Sequence, residues 1–357
     1  MKFTIILTTC ILILLGSIGG YIATFLSTPL PWMLGSLAAT AFFCLAKPQA
    51  IPSDYKFPML LRMAFVALIG VMIGAKINAE LFVHAQIAIF SLLGLTVFVP
   101  LAFYTNYLLF RRLGGYETQT AFFCAAPGGL LESITMGEAR GADVSLVTTQ
   151  QFMRIILVVA TVPALISLWI GAPVGSAGGV SLSDTGEMSM SGIGASLIAA
   201  GAGLALARKI KLPAGQMTGP LLIAGTISLS DLVTLHLTEA MLITAQIVIG
   251  ASLGSRLATI TRDMLIKAIA MSVLSVGSML ILAIIIIVTL TTVTQVGFDV
   301  LFISFMPGGL IEMSLIALSL GAHPALVTLH HIFRILLTVA CMGYFNRVLT
   351  ETQEKGT

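Results

Sequence analysis

Two stretches of the sequence that lie 180 residues apart decide the fold. Residues 126–158 read APGGLLESITMGEARGADVSLVTTQQFMRIILV, and residues 306–338 read MPGGLIEMSLIALSLGAHPALVTLHHIFRILLT. Thirteen of the 33 aligned positions are identical. A shared apolar composition would match leucines and valines by chance, but it would not place Pro-Gly-Gly, a Glu and a later Arg at the same spacing twice. The chain is therefore an internal duplication.

The composition indicates that the duplicated chain lies in a membrane. Only 9% of the 357 residues are charged and 57% are apolar, whereas soluble domains carry about 25% charged residues. A helix needs about 20 apolar residues to cross a bilayer, and its backbone hydrogen bonds are satisfied internally. Twelve apolar stretches run over residues 4–22, 31–45, 58–75, 86–109, 119–137, 145–170, 191–207, 214–229, 240–255, 264–293, 299–320 and 325–346. The sequence thus predicts an all-α integral membrane protein and excludes a soluble enzyme or a disulfide scaffold.

The loop charges predict how the two halves are oriented. A Gly- and Ser-rich linker, 171–190, separates a first membrane repeat, 1–170, from a second, 191–350. Lys and Arg concentrate in cytoplasmic loops. The loop charges of this chain follow that rule if each half has five crossings plus a broken or re-entrant PGG segment. Lys76 is then the one clear exception. An odd number of crossings gives the halves opposite orientations, which is the inverted-repeat plan of many secondary transporters.

The two Pro-Gly-Gly motifs are the candidate substrate site. Proline removes a backbone donor and glycine permits unusual backbone angles, so each motif should break its helix. The free N–H groups that begin the second half-helix would attract an anion. A packing kink is the alternative, but paired interruptions in corresponding positions favour a binding site. The motif residues are Pro127, Gly128, Gly129, Pro307, Gly308 and Gly309.

Charged and titratable side chains accompany each motif. Glu132 and Glu312 follow the breaks by one turn, where each could stabilise its own helix N-terminus or bind a coupling proton or Na⁺. Arg154 and Arg334 lie on polar helix faces and could bind a solute carboxylate or form an ion pair with one of the glutamates. His330 is a candidate for proton handling.

The other chemistry-bearing residues indicate no further site. His323 and His330 are seven residues apart, about 10 Å along a helix, which is too far for one metal ion. The four cysteines lie singly in apolar stretches, and no nucleotide-binding or hydrolase motif is present. We therefore expect no catalytic residues, no metal and no cofactor.

The duplicated PGGxxE, Gly-Ala and Arg pattern resembles the AbrB-type membrane protein family of Gram-negative bacteria, which is unrelated to the soluble DNA-binding regulator of that name. The resemblance extends from Leu30-Pro31 to Arg334. Its most specific marks are the two PGG motifs, Gly141-Ala142, Gly321-Ala322 and the two arginines. Members carry labels such as ammonia monooxygenase or regulator of gene expression, and neither label follows from these residues. By fold-level analogy, the family is similar to inverted-repeat transporters of the cation/proton antiporter and bile-acid symporter type.

These patterns together predict a multi-pass protein of the bacterial inner membrane that is not an enzyme. The expected function is secondary transport of a small anionic solute coupled to a proton or Na⁺. The alternative is a membrane-embedded regulator of gene expression that acts through a partner. The expected partners are the lipid bilayer, the solute and the coupling ion. Nucleic acid is not expected because the net charge is only +3, and a homodimer is left open.

The inverted orientation can be tested by cysteine accessibility. In a chain whose four native cysteines are replaced, Gly115→Cys and Val296→Cys should react with a membrane-impermeant thiol reagent from opposite sides, because the loop charges place 110–118 inside and 294–298 outside. Labelling of intact cells and of inside-out vesicles measures this. Reaction of both positions from the same side would rule out the inverted arrangement.

Overall fold

The computed structural model describes residues 2–52, 55–77, 85–171, 189–212, 214–230, 233–294, 297–320 and 324–354. This part of the chain is almost entirely helical, and none of its residues lies in a β-strand. The predicted all-α membrane fold is therefore confirmed.

In the described residues, fourteen α-helices account for the twelve apolar stretches, because each PGG stretch consists of two short helices. In chain order they are α1 Lys2–Phe25, α2 Pro31–Ala46, α3 Met59–Ala75, α4 Ala85–Leu108, α5 Thr118–Ala125, α6 Leu130–Glu138, α7 Val144–Ile170, α8 Met190–Ile210, α9 Gly215–Leu229, α10 Glu239–Gly254, α11 Arg262–Thr294, α12 Phe298–Phe305, α13 Leu310–Ser319 and α14 Pro324–Glu354. A π-helical turn, Leu109–Leu113, continues α4, and a 3₁₀ turn, Ser255–Thr259, continues α10.

Seven of the helices in the described part of the chain are long and apolar enough to cross a membrane. Their spanning segments are Thr4–Phe25, Ala88–Leu113, Val144–Trp169, Met190–Ile210, Glu239–Ala258, Asp263–Thr292 and Pro324–Tyr344. Helices α2 and α3 are apolar but shorter. The chain is accordingly a multi-pass membrane protein.

Local sequence signals explain where several helices begin and end. Pro31 begins α2, where its missing N–H costs nothing because the first turn has no acceptor for it. Ser189 and Thr238 cap α8 and α10, and their hydroxyls accept from the backbone N–H groups of Gly192 and Met241. Basic residues fill the last turn of α8, where they complement the partial negative charge of the helix end.

The helices form two compact units that each draw on both sequence halves. Unit A comprises residues 1–83, 159–260 and 311–325, and unit B comprises 84–158, 261–310 and 326–357. Unit A thus contains the first three helices of each repeat, and unit B contains most of the rest. The two sequence repeats therefore differ from the two compact units. Most of the predicted linker, 172–188, lies outside the described residues.

Close helix contacts in unit A occur twice, once for each repeat. Gly70 on α3 faces the backbone of Met217 on α9, and Gly250 on α10 faces the backbone of Met33 on α2. One turn further on, Gly74 and Gly254 make the corresponding contacts with the same two helices. A Cβ at any of these glycines would collide with backbone or side-chain atoms of the facing helix. The GxxxG pattern of each repeat therefore holds the third helix of that repeat against the second helix of the other.

The first two helices of each repeat also contact each other through glycines. Gly35 on α2 faces Gly19 on α1, and Gly219 on α9 faces Gly203 on α8. These pairs are 184 residues apart, while the GxxxG pairs are 180 apart. The change of offset reflects a shorter connection between the second and third helices of the second repeat.

The glycine contacts predict matched effects of alanine in the two repeats. Gly70→Ala and Gly250→Ala should each destabilise the protein by about 1–3 kcal/mol, because the added methyl forces neighbouring backbone to shift. Gly201→Ala on α8 is the control, because its Cβ would meet nothing within 4 Å and alanine favours helix by about 1 kcal/mol. Thermal unfolding in detergent measures the difference. Equal melting temperatures for all three variants would contradict the contacts.

Candidate functional site

The first PGG motif interrupts its helix as the sequence predicts. Helix α5 ends at Ala125 and α6 begins at Leu130. Gly129 caps α6 in the left-handed region with φ 65°, a conformation that side-chain-bearing residues rarely adopt. The break exposes the last carbonyl oxygens of α5 in the interior of a membrane protein, where each needs a donor.

Two side chains of α7 supply those donors. The Gln151 amide donates to the carbonyl of Phe123 at 2.9 Å and also lies within hydrogen-bonding distance of the carbonyls of Cys124 and Ala126. The Arg154 guanidinium donates to the Ala126 carbonyl, immediately before the proline. The two residues lie three apart on α7 and so share a face that meets the break. The break is therefore held open by donors rather than left unsatisfied.

The second break is held in the corresponding way. Helix α12 ends at Phe305 and α13 begins at Leu310. The Arg334 guanidinium donates to the carbonyl of Met306 and, at 2.8 Å, to that of Gly308. Each arginine therefore bonds a carbonyl 28 residues before it in the sequence, and the arrangement occurs once in each repeat.

The break of the first repeat lies beside the arginine of the second. A Cβ added to Gly128 would lie 3.8 Å from Nε of Arg334 and 3.4 Å from the hydroxyl oxygen of Thr338. Arg154 in turn donates to the carbonyl of Ala126, the residue immediately before this motif. Unit B thus brings the two predicted arginines and the first PGG motif together.

Both guanidinium groups are almost completely removed from solvent. Arg154 is 5% exposed and Arg334 is 2% exposed. The Nε atom of each is buried and makes no hydrogen bond to any described residue, and within the described part of unit B neither group has a carboxylate partner. Buried cations normally require pairing, so the breaks contain more positive charge than unit B balances with ion pairs.

Glu132 lies at the start of α6, as its spacing from the motif predicts. It is half-buried, and its Oε2 is 3.3 Å from the position that a Cβ on Gly129 would take. The carboxylate is therefore at the N-terminal turn of its own helix, where the helix dipole favours a negative charge. This geometry agrees with a role in stabilising the helix, and the ion-binding role stays a prediction.

Glu312 belongs to unit A, and it has a different electrostatic neighbour from the one that the sequence suggested. It is 4% exposed in the first turn of α13. Arg62, near the start of α3, is the charged side chain that acts on its carboxylate. Arg256 lies close enough to Arg62 to repel it. Sequence spacing could not reveal this grouping, because Arg62 is far from Glu312 in the chain and outside the repeated motif.

His330 is buried in unit B, and its ring is fully hydrogen-bonded. One ring nitrogen, Nδ1, lies 2.8 Å from the Leu326 carbonyl, and the other, Nε2, lies 2.7 Å from the Ser91 hydroxyl. A carbonyl can only accept, so Nδ1 carries a proton. The Ser91 hydroxyl also lies 3.0 Å from the Ala88 carbonyl, and its one proton can serve either that carbonyl or Nε2 of His330. The proton-handling role remains a prediction, and Gly321, Ala322 and His323 lie outside the described residues.

Gln151 contacts the first break but is not among the residues that the sequence predicts for the site. The sequence places it on the same polar face as Arg154, but its acceptors are backbone carbonyls, which every residue carries. The sequence did contain a signal for this role. Gln151 lies one helical turn before the arginine, in the helix that follows the PGG motif.

Comparisons with known proteins agree with the sequence resemblance. Residues 32–350 match the family described as "Transition state regulatory protein AbrB". The chain is 25% identical to "Uncharacterized protein YhjN" of Bacillus subtilis (strain 168), over 94% of this chain and 92% of that protein. It is also 25% identical to "Putative regulator AbrB" of Escherichia coli (strain K12), over 94% of each chain. Since the match covers nearly all the helices described above, the chain belongs to the AbrB family of membrane proteins.

Proposed function

We propose that this protein is a secondary transporter that carries a small monovalent anion together with a proton. The observation that carries the proposal is the pair of buried guanidinium groups at the PGG breaks, each with an Nε–H that bonds no described residue. An anion with two acceptor oxygens would satisfy both donors. Guanidinium groups suit this role because they stay charged when buried and present several donors in a fixed plane.

The charges at the breaks favour an anionic solute. The two arginines contribute +2, while the C-terminal ends of α5 and α12 contribute about −0.5 each and the N-terminal ends of α6 and α13 about +0.5 each from the helix dipole. A net positive charge therefore remains, which a small anion would reduce. A single negative charge on the solute would balance one coupled proton.

Glu132 gives this site a means of coupling to protons. It follows Gly129, and Gly129 adjoins the glycine that faces Arg334. When Glu132 is ionised it offsets the remaining positive charge, and the anion loses its electrostatic advantage. When Glu132 is protonated the positive charge is restored. Proton and anion would therefore bind together and move in an electroneutral pair. Glu312, beside Arg62 in unit A, is a second candidate for the coupling ion.

A bacterial inner-membrane location follows from this function, since a proton gradient is available there. The same location suits the second candidate function, a membrane-embedded regulator of gene expression. The name of the Escherichia coli relative, "Putative regulator AbrB", favours this candidate. Such a regulator would bind its ligand without net transport and would signal through a partner. Measured flux separates the two.

The transport proposal predicts anion uptake driven by a pH gradient. Proteoliposomes containing the full chain should accumulate a labelled monoanion from a panel of small carboxylates and inorganic anions when the outside is acidic, and should accumulate none of it without the gradient. Glu132→Gln should retain exchange of the anion but lose the response to pH, because the amide imitates the protonated acid. Protein-free liposomes provide the background.

Absence of flux for every anion in the panel, with and without the gradient, would overturn the transporter proposal. A Glu132→Gln variant that responds to pH like the wild type would overturn the assignment of the coupling residue alone.

A separate prediction concerns the space beside the Arg334 guanidinium. Gly128→Ala should leave the fold intact, because its Cβ would make ordinary contacts of 3.4–3.8 Å. The methyl group would occupy the space next to Nε, so we expect KM for the anion to rise roughly tenfold, about 1.4 kcal/mol. Gly194→Ala on α8, whose Cβ would meet nothing within 4 Å, is the control. An unchanged KM for Gly128→Ala would remove this glycine from the site.

A further inference from the structure

A cavity lies entirely within unit A, apart from the PGG motifs. It encloses about 200 Å³ among α3, α8, α9 and the chain that leads into α10. Val71, Met72 and Leu237 give it apolar walls, while Lys76, Ser196 and Thr234 add polar groups. A cavity of about 150 Å³ can hold benzene, so there is room here for a small organic molecule.

Two of the polar groups indicate the chemistry of an occupant. Ser196 is fully buried, and its hydroxyl bonds no described residue. A buried hydroxyl without a partner is costly, and an acceptor in the cavity would remove that cost. Lys76 supplies a positive charge at the end of α3. It is also the residue that violates the loop-charge rule in the predicted orientation, and a binding role gives that exception a reason.

The corresponding place in the first repeat has the same framework and a cation, Arg256, at the position equivalent to Lys76, but apolar residues replace the two serines. Ser196 and Ser228 correspond to Leu12 and Cys44 at the 184-residue offset, and Val71 corresponds to Ala251 at the 180-residue offset. Leu12, Cys44 and Ala251 belong to one apolar cluster of buried side chains. The helix framework therefore does not itself require an open cavity at this point.

The loops explain how one end is closed and the other is open. The α2–α3 connection, residues 47–58, contributes Ile51, Tyr55 and Phe57 to the apolar cluster, and the Tyr55 hydroxyl bonds the hydroxyl of Thr9 at 2.9 Å. The equivalent α9–α10 connection spans only residues 230–238. It supplies Thr234 and Leu237 to the rim of the cavity, and it contains no Phe, Tyr or Trp. The second repeat thus leaves open a space that the first repeat fills.

We infer that this cavity is a binding site for a small carboxylate with an apolar body. The carboxylate pairs with the Lys76 ammonium and accepts from the Ser196 hydroxyl, and the apolar part lies against Val71, Met72 and Leu237. The mixture of one cation, one buried hydroxyl and apolar walls fits a monocarboxylate better than inorganic phosphate, which has no apolar surface to bury. The site does not depend on the transport proposal, since binding here needs neither PGG motif.

Benzoate, with benzamide as its uncharged counterpart, tests the inference. Isothermal titration of the full chain in lipid nanodiscs should show saturable benzoate binding and at least tenfold weaker benzamide binding, after subtraction of empty nanodiscs. Lys76→Gln should weaken benzoate binding at least tenfold. Ser196→Leu, which installs the residue found at the equivalent position 12, should abolish it by filling the cavity. Ser196→Ala should weaken it severalfold and leave the fold unchanged.

Control variants test whether the effects are specific to the cavity. Lys56→Gln, an exposed lysine outside the cavity lining, and Gly201→Ala on α8, whose Cβ would meet nothing within 4 Å, should both bind benzoate like the wild type. Equal binding of benzamide, or no effect of Lys76→Gln and Ser196→Leu, would overturn the inference. Failure of the flux experiment with intact benzoate binding would overturn the transporter proposal and leave this site standing.

Discussion

A helix that breaks inside a membrane protein must find donors for the carbonyl oxygens at the break, and the rest of unit B follows from that need. Arg154 and Arg334 donate to the carbonyls just before the two PGG motifs. A neutral donor such as Gln151 can also do this. By using arginines as well, the fold places two full cations where the helix ends supply only partial negative charge. The need to hydrogen-bond the free carbonyls thus leaves an excess of positive charge at the breaks, and this charge favours an anion there.

The sequence predicted the class of fold and the position of each helix, because long apolar stretches leave little choice in a bilayer. It also predicted both helix breaks from Pro-Gly-Gly. It did not predict the acceptors of Arg154 and Arg334. From the sequence, the expected partner of a buried arginine is a carboxylate. The carbonyls of residues 126 and 306 cannot be told from any other backbone carbonyl in the sequence. The grouping of Arg62 with Glu312 was also hidden, since it joins residues from different repeats that no motif connects.

The duplication is visible in the sequence, but the way in which its copies combine is not. Each GxxxG pattern could have packed within its own repeat. In unit A, Gly70 and Gly250 instead face helices of the opposite repeat, so neither half's first three helices form their contacts alone. Exchange of partners between two copies explains why the compact units cut across the sequence halves. It also means that both copies must keep the same small residues, even where their polar chemistry has diverged.

That divergence follows a pattern that bears on function. The Arg at the break is the same in both repeats, but the preceding polar pair is Gln150-Gln151 in one and His330-His331 in the other. Gln150 bonds Tyr116 and Ser272, whereas His330 bonds Ser91. The loops of unit A differ as well, one closing an apolar cluster and the other bordering a polar cavity. Two identical halves in opposite orientations would present the same face to both sides of a membrane and could not distinguish them. If the protein transports a solute as proposed, the features common to both repeats are the ones expected to bind that solute, and the features that differ are the ones that can set a direction.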